Sequence, residues 1–105
     1  MTSQKLISYN PHDRSIVGSV EVSTKADVED AVKKAKQAFP AWKQTSIVKR
    51  AEYLKKFCGL LTKNIEELAT FITSEMGKPI RQSRDEINAE LGFIQWYAEN
   101  TIKSL

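Results

Sequence analysis

The sequence predicts a mainly α-helical protein with an amino-terminal β-hairpin and about four amphipathic helices. Three observations support this prediction. Two short β-prone segments flank an Asn-Pro turn, apolar residues recur at helical spacing in four later stretches, and capping or helix-breaking residues separate those stretches. At 105 residues the chain forms at most one domain. We therefore treat residues 1–105 as a single domain, with a hairpin at 5–22 and a helical region at 24–105.

The predicted hairpin has strands at residues 5–9 and 15–22, joined by the five-residue loop from Asn10 to Arg14. An Asn-Pro dipeptide favours the start of a turn. A hairpin on its own is marginally stable in water and needs a surface to pack on. His12 lies in the loop with no neighbouring histidine or cysteine to share a metal, so we expect an exposed turn residue.

Two helices are predicted to meet near Pro40. The Thr24 hydroxyl can cap the first helix, Asp27 favours its positive end, and Pro40 is expected to end it. Thr45 or Ser46 would begin the second helix. The apolar stripe of the first helix is Val28, Ala31, Val32, Ala35 and Phe39, and that of the second is Ile47, Ala51, Leu54, Cys58 and Leu61.

Two further helices are predicted after residue 63. Asn64 with Glu67 resembles a capping box for the third, which Gly77 would close in a left-handed conformation before Pro79. Ser83 with Glu86 forms a second capping-box pattern that would start the fourth. The inward residues are predicted to be Ile65, Leu68, Ala69, Ile72 and Met76, then Ile87, Leu91, Ile94, Ala98 and Ile102, with Phe93, Trp96 and Tyr97 widening the last face. This pattern runs to Leu105 without a stop signal, so we expect the chain to be cut inside or at the end of a helix.

Bulk properties exclude several classes of protein. No apolar run approaches the ~18 residues that span a bilayer, and the opening Met1 to Lys5 does not resemble a secretion signal. The single cysteine, Cys58, cannot form an internal disulfide or a multi-cysteine zinc site. It lies on an apolar stripe and is expected to be a buried hydrophobe, whereas a catalytic thiolate needs an electropositive, partly exposed position. A cytoplasmic location is the simplest expectation.

The net charge of +3 conceals a basic block at residues 33–63. This block holds nine basic residues against Glu52 alone: Lys33, Lys34, Lys36, Lys43, Lys49, Arg50, Lys55, Lys56 and Lys63. Such a block can bind nucleic acid, form a solvated helix face or meet an acidic surface. The last two interpretations are favoured, because no nucleic-acid motif or interleaved aromatic residues accompany the block.

The residues needed for catalysis or cofactor binding are not recognisable. The four glycines, Gly18, Gly59, Gly77 and Gly92, are too dispersed for a dinucleotide fingerprint or a phosphate-binding loop. The adjacent acids Glu66–Glu67 and Asp85–Glu86 point to different faces of a helix and do not form a catalytic pair. We therefore predict no catalytic, cofactor-binding or metal-binding residue, and no cofactor bound by this chain.

Several short motifs, taken in order, resemble the amino-terminal end of NAD(P)-dependent aldehyde dehydrogenases. They are Asn10-Pro11, Ala38-Phe39-Pro40-Ala41-Trp42, Arg50 before a leucine-rich helix, Ser74-Glu75-Met76-Gly77-Lys78-Pro79 and Trp96-Tyr97-Ala98-Glu99. The resemblance covers the chain from Ile7 to about Ile102. The residues of the last two motifs look most similar to those of succinate-semialdehyde dehydrogenase-like members. Each motif alone is weakly specific for the family, whereas the whole set in this order is strongly specific.

The resemblance implies that this segment belongs to the helical start of a cofactor-binding domain that uses NAD or NADP, beside a nucleotide-binding sheet. The hairpin would contribute to the family's oligomerisation region. Some members hold a structural cation near an acid on the last of these helices, and Glu86 is the nearest match, although a capping role already accounts for it. The family's nucleophilic cysteine, glutamate base, oxyanion asparagine and glycine-rich turn have no counterpart here, and Cys58 is not at the nucleophile position.

Two hypotheses follow. In the favoured one, the chain is an inactive amino-terminal part of an aldehyde dehydrogenase that converts an aldehyde, possibly succinate semialdehyde, to a carboxylic acid. In the alternative, it is a stand-alone binding module that engages nucleic acid or an acidic protein through the basic block. Under the first hypothesis, helix faces that cover a sheet in the family would be bare, and we expect a homo-oligomer formed through them.

Overall fold

The computed structural model describes residues 4–105 and contains a two-stranded antiparallel hairpin followed by four helices, as predicted. Met1 to Ser3, part of the opening considered for a secretion signal, lie outside the described residues. The strands are β1 (Lys5–Tyr9) and β2 (Ile16–Glu21), and the helices are α1 (Lys25–Gln44), α2 (Ile47–Lys63), α3 (Ile65–Met76) and α4 (Ile80–Ser104). Among residues 4–105, no helix is long and apolar enough to cross a membrane.

The hairpin pairs Lys5 with Glu21 at its open end, and its register is irregular between Ser8 and Tyr9. In the loop, the Asn10 side-chain oxygen accepts a hydrogen bond from the His12 amide at 2.9 Å. His12 itself is exposed, which confirms its interpretation as a turn residue.

Helix α1 begins as predicted but ends later. Thr24 and Asp27 form a reciprocal capping box, in which the Thr24 amide donates to the Asp27 carboxylate at 2.8 Å. The prediction that Pro40 ends the helix is wrong, because α1 continues to Gln44. Pro40 removes one backbone hydrogen bond and crowds the carbonyl four residues earlier, but the helix continues through it. The carbonyls after it are held by the side chain of Arg50.

The two other predicted capping boxes do not form. The Asn64 side chain donates to the Leu60 carbonyl at 2.8 Å instead of capping α3. Helix α4 starts at Ile80, directly after Pro79, and not at Ser83. Pro79 is the N-cap of α4 and has an extended backbone, with φ of −55° and ψ of 136°. Gly77 ends α3 with φ of 72°, as predicted.

The core lies between α2, α3 and α4. Its buried cluster contains Cys58, Ala69, Ile87 and Leu91, with Leu61, Ile65, Leu68, Ile72, Ile80 and Ile94 packed against it. Cys58 is 2% exposed, which confirms its predicted place in the core. The inward prediction for Met76 is wrong, since its side chain is 70% exposed. As the last residue of α3, it has helix neighbours on one side only.

The apolar stripe of α1 is not part of this core. No residue of α1 is buried, although the helix is 20 residues long. The molecule measures 49 × 40 × 19 Å, with a radius of gyration of 18.2 Å. These dimensions describe a flat arrangement with one helical layer, in which α1 has little covering it.

Candidate functional surfaces

Glu66, in the first turn of α3, and Glu86, in the second turn of α4, each form an ion pair. Glu66 accepts two hydrogen bonds from Arg84, both at 2.8 Å, which join α3 to α4. This hydrogen bonding lowers the pKa of Glu66 and raises that of Arg84. A carboxylate held ionised by a guanidinium is a poor proton acceptor, so this pair has a structural role.

Glu86, the nearest match to the family's cation-binding acid, forms an ion pair with Lys78. Its predicted capping role is wrong, because α4 starts six residues before it and its carboxylate is turned toward the Gly77–Lys78–Pro79 turn. Asp85 points elsewhere and lies 4.0 Å from Arg81. Within residues 4–105, no group of three or more His, Cys, Asp or Glu residues could hold a metal ion.

The polar contact between α3 and α4 extends to a buried serine. Ser83 is completely buried, and its hydroxyl lies 2.9 Å from that of Thr73. Each hydroxyl satisfies the other in a setting that water does not reach. Sequence reasoning assigned Ser83 to a cap because its spacing from Glu86 fits that motif, whereas its partner is on another helix.

The junction between α1 and α2 is built around Arg50. Its guanidinium donates to the carbonyls of Trp42 at 2.8 Å, Lys43 at 3.0 Å and Thr45 at 3.0 Å. It also lies over the Trp42 ring, 5.3 Å from the centroid. A positive charge at the negative end of a helix is favourable, and the planar fork allows several hydrogen bonds at once. Sequence reasoning noted Arg50 only in a family pattern and missed this cap.

A groove separates the hairpin from α3. It has a volume of about 530 Å³, and its lining includes Val17 of the hairpin together with Glu67, Thr70 and Phe71 of α3. Phe71 remains 50% exposed despite this packing. The hairpin loop also approaches the end of α3, where a Cβ added to Gly77 would lie 2.9 Å from Cγ of Pro11. Glycine is therefore required there for both its conformation and its size.

Part of the basic block is engaged within the chain. Lys34 pairs with Asp30 at 2.7 Å, Lys49 pairs with Glu52 at 2.9 Å, and Arg50 caps α1. The hydrogen bond that Lys49 donates to the Glu52 carboxylate raises the pKa of Lys49. These contacts are typical of solvated helix faces, where pairs three or four residues apart add modest stability.

Large apolar side chains are exposed on two separate surfaces. On α1, Val28, Val32 and Phe39 are 56%, 51% and 59% exposed. On α4, Phe93 and the edge-to-face pair of Trp96 and Tyr97 are each more than half exposed. Because these residues recur at helical spacing, they share one face of each helix.

Comparison with known proteins gives a consistent result. Residues 1–104 match the model of the aldehyde dehydrogenase family. The chain is 38% identical over 97 residues to malonate-semialdehyde dehydrogenase of Bacillus pumilus, a match that covers 92% of this chain and 20% of that enzyme.

Solved structures agree. Succinate-semialdehyde dehydrogenase from Burkholderia pseudomallei superposes with a TM-score of 0.86 at 28% identity, covering 92% of this chain and 20% of that one. The structure of PnpE in complex with nicotinamide adenine dinucleotide superposes with a TM-score of 0.87 at 30% sequence identity. The match covers 95% of this chain and 21% of PnpE. The chain thus spans about a fifth of the length of the proteins it matches.

Proposed function

Because the chain belongs to the aldehyde dehydrogenase family, we propose that it supplies the amino-terminal helical part of an NAD(P)-dependent enzyme that oxidises an aldehyde to a carboxylic acid. Residues 1–105 would form a partial domain of a cytoplasmic homo-oligomer, with further polypeptide supplying the nucleophile, base and cofactor site. The names of similar proteins favour a small semialdehyde, of malonate or succinate, as substrate.

The observation that carries this proposal is the uncovered face of α1. A 20-residue helix with an apolar stripe and no buried residue lacks the packing that normally stabilises helices in water. Burial of the stripe against a larger body would supply that stabilisation. This supports a role as part of an assembled fold.

The chemistry of the described residues supports inactivity of the chain by itself. A thioester-forming oxidation needs a thiolate that substrate can reach, whereas Cys58 is 2% exposed and lies among apolar side chains. The carboxylates of Glu66 and Glu86 are engaged with Arg84 and Lys78. We therefore expect neither aldehyde oxidation nor NAD or NADP binding by residues 1–105 alone.

A complementation experiment tests the proposal. Malonate-semialdehyde dehydrogenase of Bacillus pumilus lacking its matching segment would be co-expressed with this chain, and NADH formation from malonate semialdehyde measured. We expect no activity from either part alone and recovered activity from both together. Val32→Asp, on the apolar stripe of α1, should prevent recovery, whereas Gln37→Asp, on the opposite face of the same helix, should not.

Turnover or calorimetrically detectable NAD(P) binding by this chain alone would refute the inactivity. Failure of the two parts to give activity, with both folded by circular dichroism, would refute the proposed structural role.

The alternative, a stand-alone module that binds nucleic acid or an acidic protein through the basic block, has weaker support because Lys34, Lys49 and Arg50 already have partners within the chain. Fluorescence anisotropy with a labelled DNA duplex would distinguish a nucleic-acid-binding module from a structural part of an aldehyde dehydrogenase. Binding that weakens steeply with added salt would favour the alternative.

A further inference from the structure

The direction of α1 is decided where it joins α2. Within residues 4–105, extensive contacts join β1 to β2, α2 to α4 and α3 to α4, weaker ones join the hairpin to α3, and α1 takes part in none of them. Thr45 and Ser46 alone connect α1 to α2, and both have extended backbones, with ψ of 125° and 152°. Rotation about so short a connection would swing a helix of 20 residues, which is about 30 Å long. Side-chain contacts across the junction therefore determine where α1 points.

Those contacts come from two side chains of α2. The Arg50 guanidinium donates to three carbonyls at the end of α1 and its connection, those of Trp42, Lys43 and Thr45. The Tyr53 ring contacts the Trp42 ring, with the centroids 5.8 Å apart. Carbonyls of successive helical residues are rotated by about 100° around the axis, so bonds to two of them from one rigid planar group restrict rotation more than one bond would.

Arg50 is itself attached to the rigid part of the chain. The next residue, Ala51, is 7% exposed, and Cys58 on the same helix belongs to the buried cluster. Since α2 packs against α4, the position of the Arg50 backbone is fixed by the core. The guanidinium thus passes the orientation of the core to α1, although α1 does not contact the core.

The resulting direction of α1 agrees with that in a much longer relative. The match with PnpE has a TM-score of 0.87 and covers 95% of this chain. Because α1 has 20 of the 105 residues, a match over 95% of the chain cannot leave α1 out. This chain matches 21% of PnpE, so α1 has the same direction here without the remaining polypeptide.

We propose that Arg50 is a positioning residue, which fixes the direction of α1 before the rest of the enzyme covers its apolar stripe. The proposal rests on the structural role proposed above and names the residue that prepares the chain for it. A protein whose binding-competent arrangement is only part of its population binds with an affinity reduced by that fraction. Loss of Arg50 therefore weakens assembly and leaves the assembled enzyme unchanged.

Double electron–electron resonance tests the direction of α1 in this chain alone. Spin labels at Lys33→Cys on α1 and Glu90→Cys on α4 occupy exposed positions, and the buried Cys58 stays unlabelled. With Arg50 present we expect one narrow distribution of distances, and with Arg50→Ala a broad one. Arg50→Lys, which keeps the charge without the planar fork, should be intermediate. Lys55→Ala, at an exposed site on α2, is the matched control and should stay narrow.

The complementation assay measures the effect of Arg50 on assembly. The chain would be titrated into the shortened Bacillus pumilus enzyme and the rate of NADH formation recorded at each concentration. Arg50→Ala should raise the concentration that gives half the maximal rate by about fivefold to thirtyfold. The maximal rate at saturation should stay the same, a separation that a general loss of function would not produce. Lys55→Ala should change neither quantity.

Three results would overturn the inference: a narrow distribution for Arg50→Ala, equal half-maximal concentrations for Arg50→Ala and Lys55→Ala, or a lower maximal rate for Arg50→Ala at saturation. Failure of the wild-type chain to restore activity would refute the structural role proposed above, and the proposed effect on assembly with it. The distance distributions would still decide whether Arg50 directs α1, so the two failures are distinguishable.

Discussion

Replacing Arg50 with alanine should release the carboxyl end of α1 while leaving the core of α2, α3 and α4 intact. Arg50 donates to three carbonyls around residues 42–45 and covers the Trp42 ring. No residue of α1 is buried, so the contact of the Trp42 and Tyr53 rings, 5.8 Å between centroids, is the side-chain packing that remains at this end when the guanidinium is removed. The change therefore tests whether one side chain fixes the junction between the first two helices.

The expected loss is about 1–2 kcal/mol. Hydrogen bonds to a charged donor contribute about 1.5–3 kcal/mol each when buried. The freed carbonyls here lie at a helix end, where water replaces the guanidinium. The total loss of stability is therefore much smaller than three such bonds and is comparable with the loss of a helix cap. For a domain of this size, each kcal/mol lowers the melting temperature by about 4–8 °C.

Hydrogen exchange followed by mass spectrometry is the most direct assay. In Arg50→Ala, amides of residues 41–45 should exchange faster, whereas those around Cys58 and Leu91 should keep their protection. Arg50→Lys keeps the charge without the planar fork and should give an intermediate result. Lys55→Ala, at an exposed site on the same helix, is the control. Equal exchange and equal melting temperatures for Arg50→Ala and Lys55→Ala would refute the reasoning.

Three other perturbations follow from the structure. Gly77→Ala should lower the free energy of unfolding by about 1–3 kcal/mol, because the backbone there is left-handed and the hairpin loop approaches closely. Gly59→Ala, with open space around it in α2, should leave this free energy unchanged or raise it by up to about 1 kcal/mol. Urea unfolding of both variants would compare them, and equal losses would contradict this account. Because Arg84 lowers the pKa of Glu66 below its ordinary 4.5, the pair stabilises the fold above that pH and the contribution is lost as the pH falls through the lowered pKa. Unfolding measured from pH ~6 to ~3 should show a steeper loss for wild type than for Arg84→Gln, and parallel curves would rule out the pair's contribution. The Cys58 thiol should react with Ellman's reagent only after urea unfolding, and rapid labelling of the folded chain would contradict its burial.

Features set by neighbouring residues were predictable from the sequence. The hairpin, the Thr24–Asp27 capping box and the Gly77 helix end depend on residues within a few positions of one another. The errors arise where a distant partner decides the outcome. Arg50 binds carbonyls beyond Pro40, in a helix that Pro40 does not end, and the Ser83 hydroxyl contacts Thr73 of another helix instead of capping α4.

The candidate surfaces were predictable to a similar extent. Helical spacing located the apolar stripes of α1 and α4, and the expectation of bare faces agrees with the exposure of Val32 and Phe93. Spacing did not reveal which stripe residues enter the core, since Cys58 is buried while Leu54, four residues earlier on the same stripe, is 42% exposed. That difference depends on where α4 packs against α2, which the sequence of α2 alone does not determine.

The flat outline of the chain affects how it moves through solution. A compact protein of this length has a radius of gyration of about 13 Å, whereas this chain has 18.2 Å. Such a particle experiences more friction than a sphere of equal mass and leaves a sizing column early. A single copy would therefore elute at the position of a compact protein of greater mass, so the number of copies has to be determined from mass and not from elution volume.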